Sequence, residues 1–270
     1  MHNSQFSIHN SQSSEQAADK GNNCQLSIVN CQLKKHIPNT ITCCNLLSGC
    51  VATMLAFEGT YLYAFLFIIA GAVFDFFDGL TARALKVSSP IGKELDSLAD
   101  VVTFGFAPAA MVFSWLRECM EVQSITIANC QLSIINSIVP FFAFLLVAFS
   151  ALRLAKFNVD ERQTSSFIGL PTPANALFWG ALVLGSHDLV VVNPYGWMLV
   201  LALVVLFSYL LVAEIPMFSL KFKSLAWKPN RIAYIFLLVS LVLLILLGLN
   251  GLSAVIGWYI ILSVLTQKRG

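Results

Sequence analysis

Charge is scarce in this sequence. Of its 270 residues, 16 are Lys or Arg and 14 are Asp or Glu, while 57% are hydrophobic. A soluble domain of this size needs far more polar surface than that, so the solvent this chain is suited to is lipid. The net charge of +2 also argues against a nucleic-acid surface, and no nucleic-acid partner is expected. The seven cysteines, at positions 24, 31, 43, 44, 50, 119 and 130, contain no paired CxxC spacing. Neither a zinc site nor a disulfide framework is therefore expected.

The amino terminus lacks the basic-then-apolar pattern of a secretion signal. Rich in Ser, Asn and Gln, residues 1–36 read as a disordered polar tail that cannot bury a core. The hexamer Asn-Cys-Gln-Leu-Ser-Ile stands at 23–28 and again at 129–134. Two copies without a regular period are no solenoid, and the second reads as a loop insertion, about 121–137, that carries no chemistry.

Uncharged apolar sequence is abundant. A membrane-spanning helix needs roughly 20 mostly apolar residues, and about eight runs approach that length. They lie at about 41–57, 61–82, 98–116, 138–152, 173–184 (extendable to 192), 197–213, 232–249 and 252–266. The expected fold is all-α, a polytopic integral membrane helical bundle. Every Lys and Arg except Arg117 falls on one side of these spans. Basic loops stay in the cytoplasm, so a multi-pass protein of the inner (cytoplasmic) membrane with both termini cytoplasmic is expected. Its basic inner face would lie against anionic membrane lipids.

Against this background four aspartates stand out within "DFFDGLTARALKVSSPIGKELDSLAD" at 75–100. An ionised carboxylate within a bilayer is costly and points to function. Asp75 and Asp78 fall about 60° apart on one helical face, and Asp96 and Asp100, four residues apart, share a face of the next helix. Between them Ser89 is placed to cap a helix and Pro90 to begin one. This spacing predicts a helical hairpin whose carboxylates face each other near the cytoplasmic boundary. Such groups repel unless a cation sits between them, and hard oxygen donors suit Mg²⁺ or Mn²⁺, with room for two ions. Metal held by few carboxylates leaves positions for phosphate oxygens. Gly79 and Ala82 would let a ligand approach the backbone, and Arg83 offers a phosphate-binding fork.

The pattern D-x2-D-G-x2-A-R-x8-G-x3-D-x3-D, here Asp75, Asp78, Gly79, Ala82, Arg83, Gly92, Asp96 and Asp100, resembles the signature of the CDP-alcohol phosphotransferases. The resemblance implies a membrane enzyme that moves a phosphatidyl or phosphoalcohol group from a CDP-linked donor to an alcohol, releasing CMP. It implies that Asp75, Asp78 and Asp96 bind metal and that Asp100 is the general base. It also implies that Asp75, Asp78, Gly79, Ala82, Arg83 and Gly92 form the CDP site, and that the protein is a homodimer.

Three flanking segments, "IPNTIT", "LRLAKFNV" and "FIGLPTPANA", resemble the membrane-embedded bacterial branch of the family that uses serine. On that resemblance residues 37–215 form the catalytic membrane domain and 216–270 a C-terminal pair of transmembrane helices. The implied substrates are CDP-diacylglycerol and L-serine. Serine carries a carboxylate and an ammonium, so Arg153, Lys156, Asn158, Thr172 and Asn175, at the same predicted depth as the aspartates, are candidates to bind it. Cations at a cytoplasmic helix end can equally be topology determinants or snorkelling anchors. A glycerol-phosphate or inositol-type acceptor is the alternative within the family. A cation transporter is the alternative outside it, though it would place its aspartates near the midplane.

Overall fold

The computed structural model describes residues 36–126, 133–160, 169–217 and 227–267. The expected polar tail therefore lies outside the described residues, apart from His36, and so does the centre of the expected insertion. Seven helices among the described residues are long and apolar enough to cross a membrane. The eighth expected span is the 17-residue apolar helix Gly196–Val212, short but within the usual range for spanning.

The chain begins with α1 (His36–Phe57) and α2 (Tyr61–Ala84). Helix α2 closes through a Schellman turn: Val87 N donates to Ala82 O and Lys86 N to Arg83 O, with Lys86 at φ 53 supplying the left-handed residue this turn needs. Beyond that turn Ser89 caps α3 (Pro90–Asp100), its Oγ accepting from Gly92 N at 2.9 Å, and Pro90 occupies the first turn. The hairpin read from the sequence is thus formed by one complete stop signal and one complete start signal.

Helix α3 runs through a π-helical turn, Val101–Phe106, into α4 (Ala107–Thr126). Hydropathy located only 98–116 of this rod. The span begins at Pro90, because its first turns are polar and invisible to an apolar-run criterion. The next span is likewise longer than expected, with α5 (Ser133–Ile138), a 3-10 stretch (Val139–Phe144) and α6 (Leu145–Val159) in succession. After it come α7 (Thr172–Val192), α8 (Gly196–Val212), α9 (Trp227–Leu247) and α10 (Leu249–Gln267).

The core is centred on α4 and α7, where Trp115, Met111, Leu116 and Trp179 are wholly buried. At one end of the bundle Glu118 accepts from Tyr61 Oη, and its other oxygen lies 2.8 Å from His187 Nε2. This staples α2, α4 and α7 together. His187 and Glu118, whose side chains are 25% and 33% exposed, are therefore a partly buried structural contact. Helix α10 joins this core through Asn250, which donates to Gly185 O at 2.8 Å and accepts from Ser186 Oγ at 3.0 Å.

Candidate active site

The chain reverses direction at each crossing, so the start of α1, the end of α2, the start of α3, the end of α6 and the start of α7 meet at the other end of the bundle. Each of these segments carries a predicted site residue or a partner of one.

Asp75, Asp78 and Asp96 converge so that one carboxylate oxygen of each lies within 4.8 Å of the others. Asp78 is buried at 6% exposure, and Asp96 Oδ1 is buried with no hydrogen-bond partner. An orphaned carboxylate oxygen inside a cluster of three acids fits a divalent cation, and an all-carboxylate donor set is what Mg²⁺ or Mn²⁺ takes. Asp100, 8% exposed, stands one turn deeper and outside that set of three.

A cleft of about 250 Å³ opens beside the cluster. Of the residues expected at the CDP site, Asp78, Gly79, Ala82 and Gly92 line it and Asp75 does not; Asp96, Ser88, Ser89 and Lys93 line it as well. Nothing stands within 4 Å of the position a side chain at Gly79 would take, which leaves the α2 backbone open to a ligand. At Gly92 a methyl group would sit 2.9 Å from Ser89 Oγ and 3.0 Å from Asn39 Oδ1, crowding the cap of α3 and the Asn39 side chain of α1. Arg83 does not line the cleft. It is exposed, and its Nε donates to Gly79 O at 3.0 Å.

The five candidates for acceptor binding divide. Arg153 is buried at 8% exposure; its Nη1 donates to Thr172 Oγ1 at 3.3 Å, and its Nε has no partner. Asn175 is wholly buried with both side-chain polar atoms unpartnered. Arg153 and Thr172 thus form a buried polar contact between α6 and α7, with Asn175 about one turn further along α7 and Arg153 in electrostatic range of Asp100. Helix α6 comes this close because Gly105 in the π-helical turn faces Ser150, one turn before Arg153. Lys156 is exposed. Asn158 is occupied structurally: its Nδ2 donates to Ser97 Oγ at 2.8 Å, and its backbone O accepts from Lys93 Nζ at 3.0 Å.

Two residues of α1 that the sequence did not single out complete the site. Thr42 Oγ1 donates to Asp78 Oδ2 at 2.6 Å, and Asn45 Nδ2 donates to Asp100 Oδ1 at 3.2 Å. Their signal was available in the spacing of Pro38, Thr42, Asn45 and Gly49, a polar and small-residue stripe at helical intervals in an apolar span.

A family model described as CDP-alcohol phosphatidyltransferase matches residues 35–209. A CDP-diacylglycerol--serine O-phosphatidyltransferase of Helicobacter pylori is 28% identical over 230 residues, covering 84% of this chain and 89% of that protein. One from Methanocaldococcus jannaschii is 32% identical over 209 residues, covering 77% and 83%. One from Bacillus subtilis is 35% identical over 138 residues, covering 51% and 70%.

Proposed function

The chain belongs to the CDP-alcohol phosphatidyltransferase family, and from that premise we propose that it transfers the phosphatidyl group of CDP-diacylglycerol to the hydroxyl of L-serine, releasing CMP. The observation that carries the proposal is the convergence of the Asp75, Asp78 and Asp96 carboxylates near the buried Asp100, with the buried Arg153 in electrostatic range of that residue. Serine as acceptor is supported by the activity for which the relatives are named and by the charge of the pocket. An acceptor phosphate calls for several cations, and among the described residues Arg153 is the one basic side chain that is buried.

Asp75, Asp78 and Asp96 would hold Mg²⁺ or Mn²⁺, two ions in this reading. When bound, the metal neutralises charge on the diphosphate oxygens. Gly79, Ala82 and Gly92 admit the nucleotide end of the donor to the helix backbone. Arg153 orients the serine carboxylate, with Thr172 fixing the guanidinium and Asn175 offering both a donor and an acceptor. Asp100 takes the proton of the serine hydroxyl as its oxygen bonds to the phosphorus carrying diacylglycerol and CMP departs.

The whole assembly is read as residues 37–215, extended by the α9–α10 pair. It works as a homodimer in the inner membrane with the site open to the cytoplasm. Eight crossings, α8 included, keep both termini on the cytoplasmic side, which the basic residues favour. The test is incorporation of labelled serine into extractable lipid by membranes holding the protein and CDP-diacylglycerol. Incorporation that is lost in Asp100→Asn supports the reading, and equal incorporation in that variant rejects it.

A further inference from the structure

Asn45 is wholly buried, and three contacts fix it. Its Nδ2 donates to Asp100 Oδ1 at 3.2 Å. Its backbone O accepts from Thr103 Oγ1 at 3.0 Å. Its Oδ1 lies over Gly71 of α2, where a methyl group would come within 2.9 Å of it. Asp100 in the ionised form that a general base requires only accepts hydrogen bonds, so in that form the Asn45 amide NH₂ is the group that faces it.

Thr103 belongs to the π-helical turn that starts directly after Asp100. It sits between two glycines: a methyl at Gly71 would overlap Thr103 Cγ2, and one at Gly49 would lie 2.8 Å from Thr103 Cα. Helix α1, α2 and the π-helical turn therefore pack so closely here that neither Gly49 nor Gly71 has room for a side chain. The extra residue of a π turn shifts the helical phase of α3 relative to that of α4. Asp100 and Thr103, three residues apart, meet the same α1 residue, one on its amide and one on its carbonyl.

We propose that Asn45 is the positioning residue of Asp100, its amide holding one carboxylate oxygen so that the other is presented to the acceptor hydroxyl. This rests on the reading of Asp100 as general base. A base works only when aimed, and a misplacement of about 1 Å can cost on the order of 100-fold in rate. Asparagine does this without adding a further negative charge to a site that already holds four aspartates.

The test compares Asn45→Leu, which removes the donor, Gly71→Ala, which crowds Thr103 and Asn45 together from the neighbouring helix, and Asp100→Asn, all as full-length protein. Two quantities are read: steady-state CMP release as kcat and KM for each substrate, and the stabilisation against thermal unfolding given by CDP-diacylglycerol with Mg²⁺. Asn45→Leu is expected to lower kcat by about 100-fold, Gly71→Ala to lower it in the same direction, and both to keep KM for serine and the donor-induced stabilisation. The proposal is overturned if Asn45→Leu turns over at the wild-type kcat, if its defect lies in the serine KM, or if donor-induced stabilisation vanishes with the rate. A dead Asp100→Asn beside a fully active Asn45→Leu would reject Asn45 alone, whereas an active Asp100→Asn would reject the base assignment and this inference with it.

Discussion

Thr42 Oγ1 stands 2.6 Å from Asp78 Oδ2 and 3.1 Å from Pro38 O. A hydroxyl has one proton to give, and the shorter, charge-assisted bond to the carboxylate takes it. The first span thereby holds a carboxylate of the second in place.

Thr42→Val keeps the shape and removes that donor. Loss of a group that orients a metal ligand costs roughly 10–100-fold in metal affinity or activity. The concentration of Mg²⁺ or Mn²⁺ needed for half-maximal CMP release should rise by that order, with the rate at saturating metal less affected. An unchanged metal requirement would separate Asp78 from the metal.

Arg153→Gln should act on the acceptor alone. A hydrogen bond to a charged group contributes about 1.5–3 kcal/mol, which is roughly 10–100-fold in kcat/KM for serine. The KM for CDP-diacylglycerol should hold within about threefold, since by that same principle no donor contact is lost. Arg153→Lys should recover little, because a lysine lacks the fork that can serve Thr172 and a carboxylate together.

Most of the fold and the acidic half of the site could be read in the residues themselves. Four aspartates at spacings of three and four can only lie on two helix faces, and Ser89 with Pro90 marks where the second helix starts. The alternation of spans assigns Arg153, Thr172 and Asn175 to the same depth as the aspartates, and in the structure Arg153 bonds to Thr172 and lies in electrostatic range of Asp100. Helical phase and tertiary partners were not legible. Asn158 lies about 140° around α6 from Arg153 at 100° per residue, on the side where Ser97 and Lys93 occupy it. Arg83 satisfies its own helix instead of lining the cleft. The roles of Thr42 and Asn45 depend on partners on other helices, because a single Thr or Asn inside an apolar span has many bland explanations until that partner is known.

Gly169 ties the acceptor pocket to α8. At φ 79 it adopts a backbone that side-chain-bearing residues avoid, and its N donates to Ile215 O at 2.9 Å. A methyl there would stand 2.7 Å from Leu211 O. Gly169→Ala should therefore destabilise the folded protein by about 1–3 kcal/mol. A lower unfolding temperature in detergent would show it, and an unchanged one would contradict the strain argument.

The central claim is tested most directly by CMP release from CDP-diacylglycerol and Mg²⁺ or Mn²⁺, with serine, glycerol 3-phosphate and inositol supplied one at a time. The account predicts release with serine that stops on chelation and stays at background with the other two acceptors. Release driven by glycerol 3-phosphate or inositol, or release with serine that survives chelation, would contradict it.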